Sequence, residues 1–389
     1  MAQTQRLVLI GGGHSHAIAL RLWGMQPLPN VQVTLISDVT EAPYSGMLPG
    51  HLAGFYHHQD CHIDLRSLTQ FANATLIVDT AISIDSNQKR VICQNHDPIS
   101  FNILSIDIGS TPSIPQKPNL FIIPAKPVPQ FLTWWQTLCD RIQQTSHPTI
   151  TLSIIGGGVG GVELAFNLQA RLRQLMDPTQ IQIHLFHRSP DLLPQQSPWV
   201  QRYLQQLLQA RQIQLHLNET VTTAIAPHVI CASGLTVTCD ASLWVTQATA
   251  PAWLKTTGLE LDDRGFIAVN AALQSLSHPA IFAAGDIASL VDQPCPKAGV
   301  FAVRQGTPLL RNLRHALQGQ PLQEYHPQTR YLSLIGTGDR SAVATWGRLG
   351  WASPWCWQWK DWIDRRFMQQ FQTLKNPLSA EIPTHSKHP

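Results

Sequence analysis

The sequence has few charged residues. Asp, Glu, Lys and Arg make up 13% of its 389 residues, against roughly 25% in typical soluble domains. Hydrophobic residues make up 43%. This combination excludes intrinsic disorder for the bulk of the chain, because disordered chains carry high charge and few apolar side chains. The net charge is only +3. Since nucleic-acid-binding proteins concentrate basic residues on one face, this balance predicts no nucleic-acid partner.

Paired cysteines and long apolar runs are also missing. The seven cysteines are widely spaced and form no C-x-x-C pair, which argues against a disulfide scaffold and against a zinc ribbon. We predict no metal site. The sequence contains no apolar run of the length, roughly 18 residues, that a membrane-spanning helix needs. The first residues show no signal-peptide pattern. We therefore expect a cytoplasmic protein, with a loose tail at residues 376–389.

A glycine-rich turn in the middle of the chain predicts a dinucleotide site. It follows an apolar strand at residues 149–155, and its glycines Gly156, Gly158 and Gly161 are in G-x-G-x-x-G register. The first glycine permits a tight turn, the second lets a pyrophosphate approach the backbone, and the third allows close helix–strand packing. A helical stretch and a further strand at 181–186 complete a βαβ unit, so we interpret the motif as a nucleotide-binding turn.

A similar unit begins the chain. A short apolar strand at residues 6–10 leads into Gly11 and Gly13, but His16 stands where the third glycine of the fingerprint is expected. This departure predicts looser helix packing at that point. His14 and His16 could lie beside the phosphates of a bound dinucleotide, or could serve only in packing. Both interpretations stay open at this stage.

The residue after the second strand of each unit bears on cofactor choice. A carboxylate there binds the ribose hydroxyls of a dinucleotide. In the first unit Asp38 is available for this role. In the second unit the position falls on His187 and Arg188, with no acid. Arg188 would attract a 2′-phosphate, which predicts tolerance of, or preference for, NADPH over NADH. The alternative is that Arg188 is only a solvated surface charge.

A third element, an apolar strand at 281–284 that ends in Gly285 and Asp286, completes a resemblance. Two dinucleotide units and a late Gly-Asp resemble the FAD-dependent pyridine nucleotide-disulfide oxidoreductase superfamily. The resemblance implies that FAD binds the first unit, with Asp286 near its ribitol and pyrophosphate, and that NAD(P)H binds the second. It also implies that Glu163, in the G-V-E-L-A run after the second turn, lies near the contact of nicotinamide and flavin.

Further motifs narrow the resemblance. The runs GGGHSH, YSGMLPGHLAGFY, AKP, PKAGVFAVRQG and WKDWIDRRFM resemble a subfamily that is similar to type II NADH dehydrogenases and often occurs fused ahead of selenide, water dikinase. This chain has no kinase part and looks like the stand-alone form. The resemblance implies FAD contacts for Lys126 of the AKP motif. It also implies that the helix N-terminus near Lys297 points at the flavin.

The electron acceptor is less well defined by the motifs. Disulfide reductases need a cysteine pair near the flavin, and Cys61 has no early partner. In type II NADH dehydrogenases an A-Q-x-x-x-Q pattern lies near the quinone. Aligned on this chain, its glutamines fall on Val300 and Arg304, and only Gln305 remains nearby. We retain Glu163 and Gln305 as candidate catalytic residues and a quinone, or another small molecule, as the acceptor.

The C-terminal segment contains a tryptophan-rich helix. Ser353 and a following proline predict the helix start. Three tryptophans at i, i+4 and i+7 share a face with Ile363 and Phe367. Lys360 and two arginines add positive charge to the helix, and two aspartates partly offset it. The three tryptophans are Trp355, Trp359 and Trp362. This pattern favours peripheral contact with a membrane surface. The alternatives are a helix packed on the first unit, or a dimer contact.

These observations predict an α/β protein with two nested Rossmann-like dinucleotide-binding domains plus a C-terminal segment. We assign residues 1–112 and 252–320 to an FAD-binding domain, 113–251 to an NAD(P)H-binding domain, and 321–389 to a hairpin, the tryptophan-rich helix and the tail. The predicted function is FAD-dependent NAD(P)H dehydrogenase. A sulfide:quinone-type oxidoreductase and a low-turnover redox or partner flavoprotein linked to selenium metabolism are the alternatives.

Overall fold

The computed structural model describes residues 4–145 and 148–375, so the predicted tail at 376–389 lies outside the described residues. The α-helices are α1 (His14–Met25), α2 (Leu48–Leu52), α3 (His58–Cys61), α4 (Leu65–Phe71), α5 (Val128–Gln144), α6 (Val159–Leu175), α7 (Pro198–Ala210), α8 (Gly299–Gln318) and α9 (Pro354–Gln372). None of the helices in this described part of the chain combines the length and the hydropathy needed to span a membrane.

The strands fall into three successive stretches of the chain. The first contains β1 (Gln5–Ile10), β2 (Val31–Ser37), β3 (Glu41–Pro43), β4 (His62–Asp64), β5 (Thr75–Val78), β6 (Ala81–Asp85), β7 (Arg90–Cys93), β8 (Ile99–Ser100), β9 (Ile103–Ile106) and β10 (Thr111–Pro112). The second contains β11 (Ile122–Pro124), β12 (Ile150–Ile155), β13 (Ile181–Phe186), β14 (Gln214–His216), β15 (Val221–Ile225), β16 (His228–Cys231), β17 (Thr236–Thr238), β18 (Ala241–Trp244) and β19 (Ala248–Thr249). The third contains β20 (Ile267–Val269), β21 (Ile281–Ala283), β22 (Ala288–Leu290), β23 (Leu332–Gly336), β24 (Ala342–Trp346) and β25 (Leu349–Ser353).

The first sheet has the strand order β21-β9-β1-β2-β5, and all of its pairings are parallel. Its central strands are apolar and buried, as expected for a parallel sheet that is covered by helices. Helix α1 packs against α8 and α4. Because the carboxyl ends of parallel strands meet at one edge, the loops after β1, β9 and β21 converge there. These loops begin with Gly11, Asp107 and Ala284.

The second sheet repeats this arrangement with the order β11-β18-β12-β13-β14, again fully parallel. Helix α6 follows β12 and lies on β13. A Cβ atom built on Gly161 would lie 1.8 Å from the carbonyl oxygen of Gly156, so only glycine allows the helix to approach the turn this closely. The predicted α/β fold with two dinucleotide-binding units is confirmed.

Two connecting strands join the units. The chain leaves the first sheet after β9, and β10 pairs antiparallel with β19, the strand on which it returns. Strand β21 then completes the first sheet. The domain boundaries near residues 112 and 251 remain predictions, and the paired connections lie beside them.

The C-terminal segment forms a three-stranded antiparallel sheet, β23-β24-β25, followed by α9. The predicted hairpin of β23 and β24 is present, and β25 adds a strand that the sequence pattern did not reveal. The Ser353 hydroxyl caps α9 by accepting a hydrogen bond from the backbone N–H of Cys356. The expected single face needs correction, because Phe367 packs on Tyr44 while the tryptophans point outward.

The contact at Gly161 generates a stability prediction. Gly161→Ala should lower the free energy of unfolding by about 1–3 kcal/mol, the usual cost of overpacking, because the new methyl group forces α6 away from Gly156. Thermal and urea unfolding would measure the loss. Gly158→Ala is the matched control, since its Cβ would meet no described atom within 4 Å, and replacing a glycine N-cap costs at most about 1 kcal/mol. Equal losses in the two variants would contradict the packing argument.

Candidate functional site

A cavity of about 400 Å³ opens at the carboxyl edge of the first sheet. Loops from β1, β2, β9 and β21 and the start of α8 line it, together with the segment after β11. Most of the residues predicted to contact FAD lie in this wall. They are Gly11, Gly13, His14, Asp38, Lys126, Asp286 and Lys297. The structure therefore brings together side chains that are almost 300 residues apart in the sequence.

The first glycine turn packs against the loop after β9. Gly11 has a φ of +90°, and a Cβ there would lie 2.3 Å from the backbone oxygen of Asp107. A Cβ on Gly13 would lie 2.3 Å from the Asp107 carboxylate carbon. Asp107 is buried and lines the cavity. Sequence reasoning missed this residue, although a carboxylate directly after a buried strand is a recognisable signal.

The two histidines that follow the first glycine turn lie in different environments. His14 lies in the cavity wall, with its ring edge-on to Tyr44 at 5.3 Å. His16 is fully buried, and its Nδ1 lies 2.7 Å from the carbonyl oxygen of Gly11, so Nδ1 carries the hydrogen. Its Nε2 therefore accepts from the Ser105 hydroxyl at 2.8 Å. Burial lowers the pKa of both histidines to about 4, which keeps them neutral. His16 thus has a packing role, and only His14 reaches the cavity.

An ion pair crosses the cavity wall. The Lys126 ammonium donates to Asp286 at 3.0 Å, and the Ser110 hydroxyl donates to the same carboxylate oxygen at 3.0 Å. Burial opposes the charge of Asp286, but Lys126 and Ser110 together hold the pKa of its carboxyl below the ordinary value. Lys297 donates to the backbone oxygen of Ala288, and burial lowers its pKa. The cavity therefore holds two cations and a paired carboxylate.

Gln305 does not line the cavity. Its side chain is 1% exposed, and Oε1 accepts a hydrogen bond of 2.6 Å from the backbone N–H of Gly285. Gly285 has a φ of +70°, a conformation that favours glycine. The structure places Gln305 beneath the loop that carries Asp286, where it fixes that loop. This is a positioning contact, and a place for Gln305 near the electron acceptor stays a prediction.

The second glycine turn is open where a pyrophosphate would bind. Gly156 has a φ of +124°, and the space around Gly158 is free of described atoms. The backbone N–H of Gly157 donates to Nδ1 of His187 at 3.3 Å. Burial lowers the pKa of His187, and a hydrogen bond to the backbone of Asp191 opposes this shift. Arg188 is exposed, with Nη2 3.4 Å from the Gln247 side-chain oxygen. The Arg188 guanidinium is thus accessible from solvent beside this turn.

Glu163 lies where α6 meets the C-terminal segment. Its Oε1 accepts a 2.7 Å hydrogen bond from the backbone N–H of Gly336, and burial raises its pKa. Close by, Lys360 forms a buried ion pair of 2.6 Å with Asp364 and donates to the backbone oxygen of Gly46. The sequence pattern placed Lys360 among the positive charges of an exposed helix face. This expectation was wrong, because α9 turns Lys360 towards the core.

Tyr44 extends this network towards the cavity. Its hydroxyl donates to Asp364 at 3.0 Å, and its ring stacks on Phe367 at 4.4 Å. The next residue, Ser45, lines the cavity. The buried charges of α9 thus connect Glu163 of the second unit with the wall of the first.

Cysteine chemistry is absent from the cavity wall. Its lining includes no cysteine within the described ranges. Cys61 is buried, and burial raises the pKa of its thiol to about 12, which disfavours the nucleophilic thiolate. The arrangement therefore offers anion binding, paired charges and glycine turns, and it lacks the residues for thiol exchange.

Known proteins share this architecture. The NADH dehydrogenase-like protein YutJ of Bacillus subtilis (strain 168) is 24% identical over 349 residues, which cover 87% of this chain and 91% of that protein. The type II NADH:quinone oxidoreductase of Staphylococcus aureus (strain bovine RF122 / ET3-1) is 21% identical over 363 residues, covering 84% and 86%. The crystal structure of the sulfide:quinone oxidoreductase of Aquifex aeolicus superposes with a TM-score of 0.77 at 19% identity, covering 95% of this chain and 92% of that chain.

A family model matches most of the chain. The model, described as pyridine nucleotide-disulphide oxidoreductase, covers residues 5–306. This range contains both glycine turns, the Lys126–Asp286 pair and the first turns of α8. It agrees with the parallel sheets and with the cavity at their carboxyl edge. The chain therefore belongs to the pyridine nucleotide-disulphide oxidoreductase family.

Proposed function

We propose that this chain is an FAD-dependent NAD(P)H dehydrogenase that passes electrons to a quinone. The observation that carries the proposal is the pairing of two glycine turns of different character. One borders a cavity with fixed charges, and the other opens to solvent beside an exposed arginine. The names of the relatives include NADH dehydrogenase and NADH:quinone oxidoreductase, which supports the same assignment.

The residues of the cavity fit FAD. The first turn lets a pyrophosphate approach the backbone at Gly11 and Gly13, and the start of α8 presents backbone N–H groups to an electron-rich ring. Lys126 and Lys297 supply positive charge, and Asp286 and Asp38 supply acceptors for hydroxyl groups. When bound, FAD supplies hydride acceptance from a nicotinamide and electron release to an acceptor. The protein itself has to bind the cofactor, orient it and exclude water from it.

The second turn is proposed to bind NADPH in preference to NADH. Arg188 is exposed, and no carboxylate stands at the end of β13 to repel a 2′-phosphate. The adjacent His187 accepts a hydrogen bond from the backbone N–H of Gly157 and so supports the turn. We further propose that Glu163 lies at the nicotinamide end of this site.

An anaerobic titration of the purified protein with NADPH tests the function. We expect bound flavin to lose its oxidised absorption band at once, and a soluble quinone to restore it. The rates to measure are those of flavin reduction by NADPH and of flavin reoxidation by the quinone, both from the absorbance of the oxidised flavin. If NADPH and NADH both leave the flavin oxidised, the dehydrogenase is refuted. Bleaching by sulfide alone would establish the sulfide:quinone alternative, and slow quinone reoxidation would favour a redox partner protein.

Reversal of one charge tests the nucleotide preference. Arg188→Glu should raise the KM for NADPH by about 10- to 100-fold, because a charge-assisted hydrogen bond worth about 1.5–3 kcal/mol is replaced by repulsion. The KM for NADH should change by less than threefold. Arg141→Glu, at an exposed arginine on α5, is the matched control. An equal effect of Arg188→Glu on both nucleotides would show that Arg188 is only a surface charge.

We also propose that α9 contacts a membrane surface, where a lipophilic quinone would be available. Its three outward tryptophans are 76%, 43% and 56% exposed in chain order. Such an unpaired aromatic row is costly in water and typical of interfacial helices. Arg366 lies over the ring of Trp362 at 5.3 Å and adds positive charge to this face. The opposite face of α9 packs on the protein through Met368 and Phe371.

Vesicle binding tests the membrane contact. Replacement of Trp355, Trp359 and Trp362 by serine should reduce partition onto vesicles of phosphatidylcholine and phosphatidylglycerol by more than about tenfold. Flavin content should stay unchanged, because the three side chains point away from the cavity. Co-sedimentation would measure the partition. Leu276→Ser, at an exposed leucine outside α9, is the control, and equal partition of the triple variant and the native protein would refute the contact.

A further inference from the structure

Asp107 occupies an unusual place for a carboxylate. It directly follows β9, is 2% exposed, and lines the cavity beside the first glycine turn. Both loops that would hold a dinucleotide touch it. A Cβ on Gly13 or on Gly285 would lie 2.4 Å from its Oδ1. The two glycines are therefore required by this side chain as well as by any ligand.

The two carboxylate oxygens have different surroundings. Oδ2 accepts hydrogen bonds from the backbone N–H groups of Ser15 at 2.8 Å and His16 at 3.1 Å. These groups belong to the first turn of α1, where the helix dipole stabilises negative charge. Since two donors occupy the lone pairs of Oδ2, a proton on Asp107 would be carried by Oδ1, on the side of Gly13 and Gly285.

The neighbouring titratable groups leave Asp107 poised to change charge. His14 and His16 on α1 are neutral near pH 7, because burial holds their pKa at about 4. Asp286 forms an ion pair with Lys126. Burial raises the pKa of Asp107 to about 7, although the two N–H donors oppose this and the charge of Asp286 adds to it. The other charged side chains of this wall are Asp38, Asp79 and Lys297, and burial lowers the pKa of Lys297.

We propose that Asp107 takes up a proton from the buffer when the pyrophosphate of FAD binds the first glycine turn. This inference depends on the proposed FAD site. The pyrophosphate brings two negative charges to the turn that Asp107 already touches, and like charges at close range favour protonation of the weaker acid. As a neutral acid, Asp107 keeps its two N–H contacts on Oδ2 and no longer repels the phosphates. Asp107 thus makes cofactor affinity depend on pH.

The pH dependence of FAD affinity tests this inference. With the full-length apoprotein and FAD as the probe, fluorescence quenching should give a Kd that rises by about tenfold per pH unit above pH 7, the slope for uptake of one proton. FAD itself does not change charge between pH 7 and 8.5. Asp107→Asn, which is neutral at every pH and of the same shape, should lower this slope by about one log unit per pH unit.

Controls separate Asp107 from the other groups. Asp97→Asn removes an exposed carboxylate outside the cavity wall and should keep the native slope. Lys297 contributes equally to native and variant proteins, so the difference in slope belongs to Asp107. In case Asp107→Asn fails to fold, calorimetry of the native protein at pH 8 in two buffers of different ionisation enthalpy should show uptake of most of one proton on FAD binding.

The outcomes distinguish this inference from the proposed function. Tight FAD binding with the same slope in the native protein and Asp107→Asn, or with no proton uptake in the calorimeter, would overturn the role of Asp107 and leave the dehydrogenase intact. Absence of FAD binding at every pH would overturn the FAD site, and the inference with it. A slope that falls only in Asp107→Asn would support it.

Discussion

The contact between the Asp107 carboxylate and two glycine-containing loops organises the candidate site. The loop after β1 and the loop after β21 are far apart in the sequence, and each approaches this one side chain so closely that a methyl group would collide with it. The helix N-terminus of α1 supplies the hydrogen bonds that let a carboxylate remain buried. The cavity shape, the position of Asp286 and the course of α1 all depend on this arrangement.

A second buried cluster of charges ties the C-terminal helix to both nucleotide units. Lys360 and Asp364 would be costly to bury singly, but each satisfies the other, and the Tyr44 hydroxyl and the Gly46 carbonyl use their remaining hydrogen-bonding capacity. Glu163 lies beside this cluster and binds the backbone of Gly336. The outer face of α9 is free to carry tryptophans because the inner face already holds the helix in place.

The parts of the structure that follow from local rules were predictable from the sequence. The glycine turns and the Ser353 cap depend on residues close together in the chain, and each occurs as predicted. The cavity side chains Lys126, Asp286 and Lys297 were anticipated only through resemblance to a family. Asp107, Lys360 and the role of Gln305 were not anticipated, because their burial depends on strands and helices that come from distant segments. No periodicity or motif in the sequence predicts contacts between such distant segments.

The order of strands in the two sheets also has a consequence for biosynthesis. The second sheet is built from one uninterrupted stretch, from β11 to β18, whereas the first sheet lacks an edge strand until β21 has been made. During translation the second unit can fold as soon as it leaves the ribosome. The first unit must wait, with one side of β9 unpaired, until the inserted unit is complete. Folding of the first unit is therefore completed only when β21, from the later half of the chain, joins its sheet.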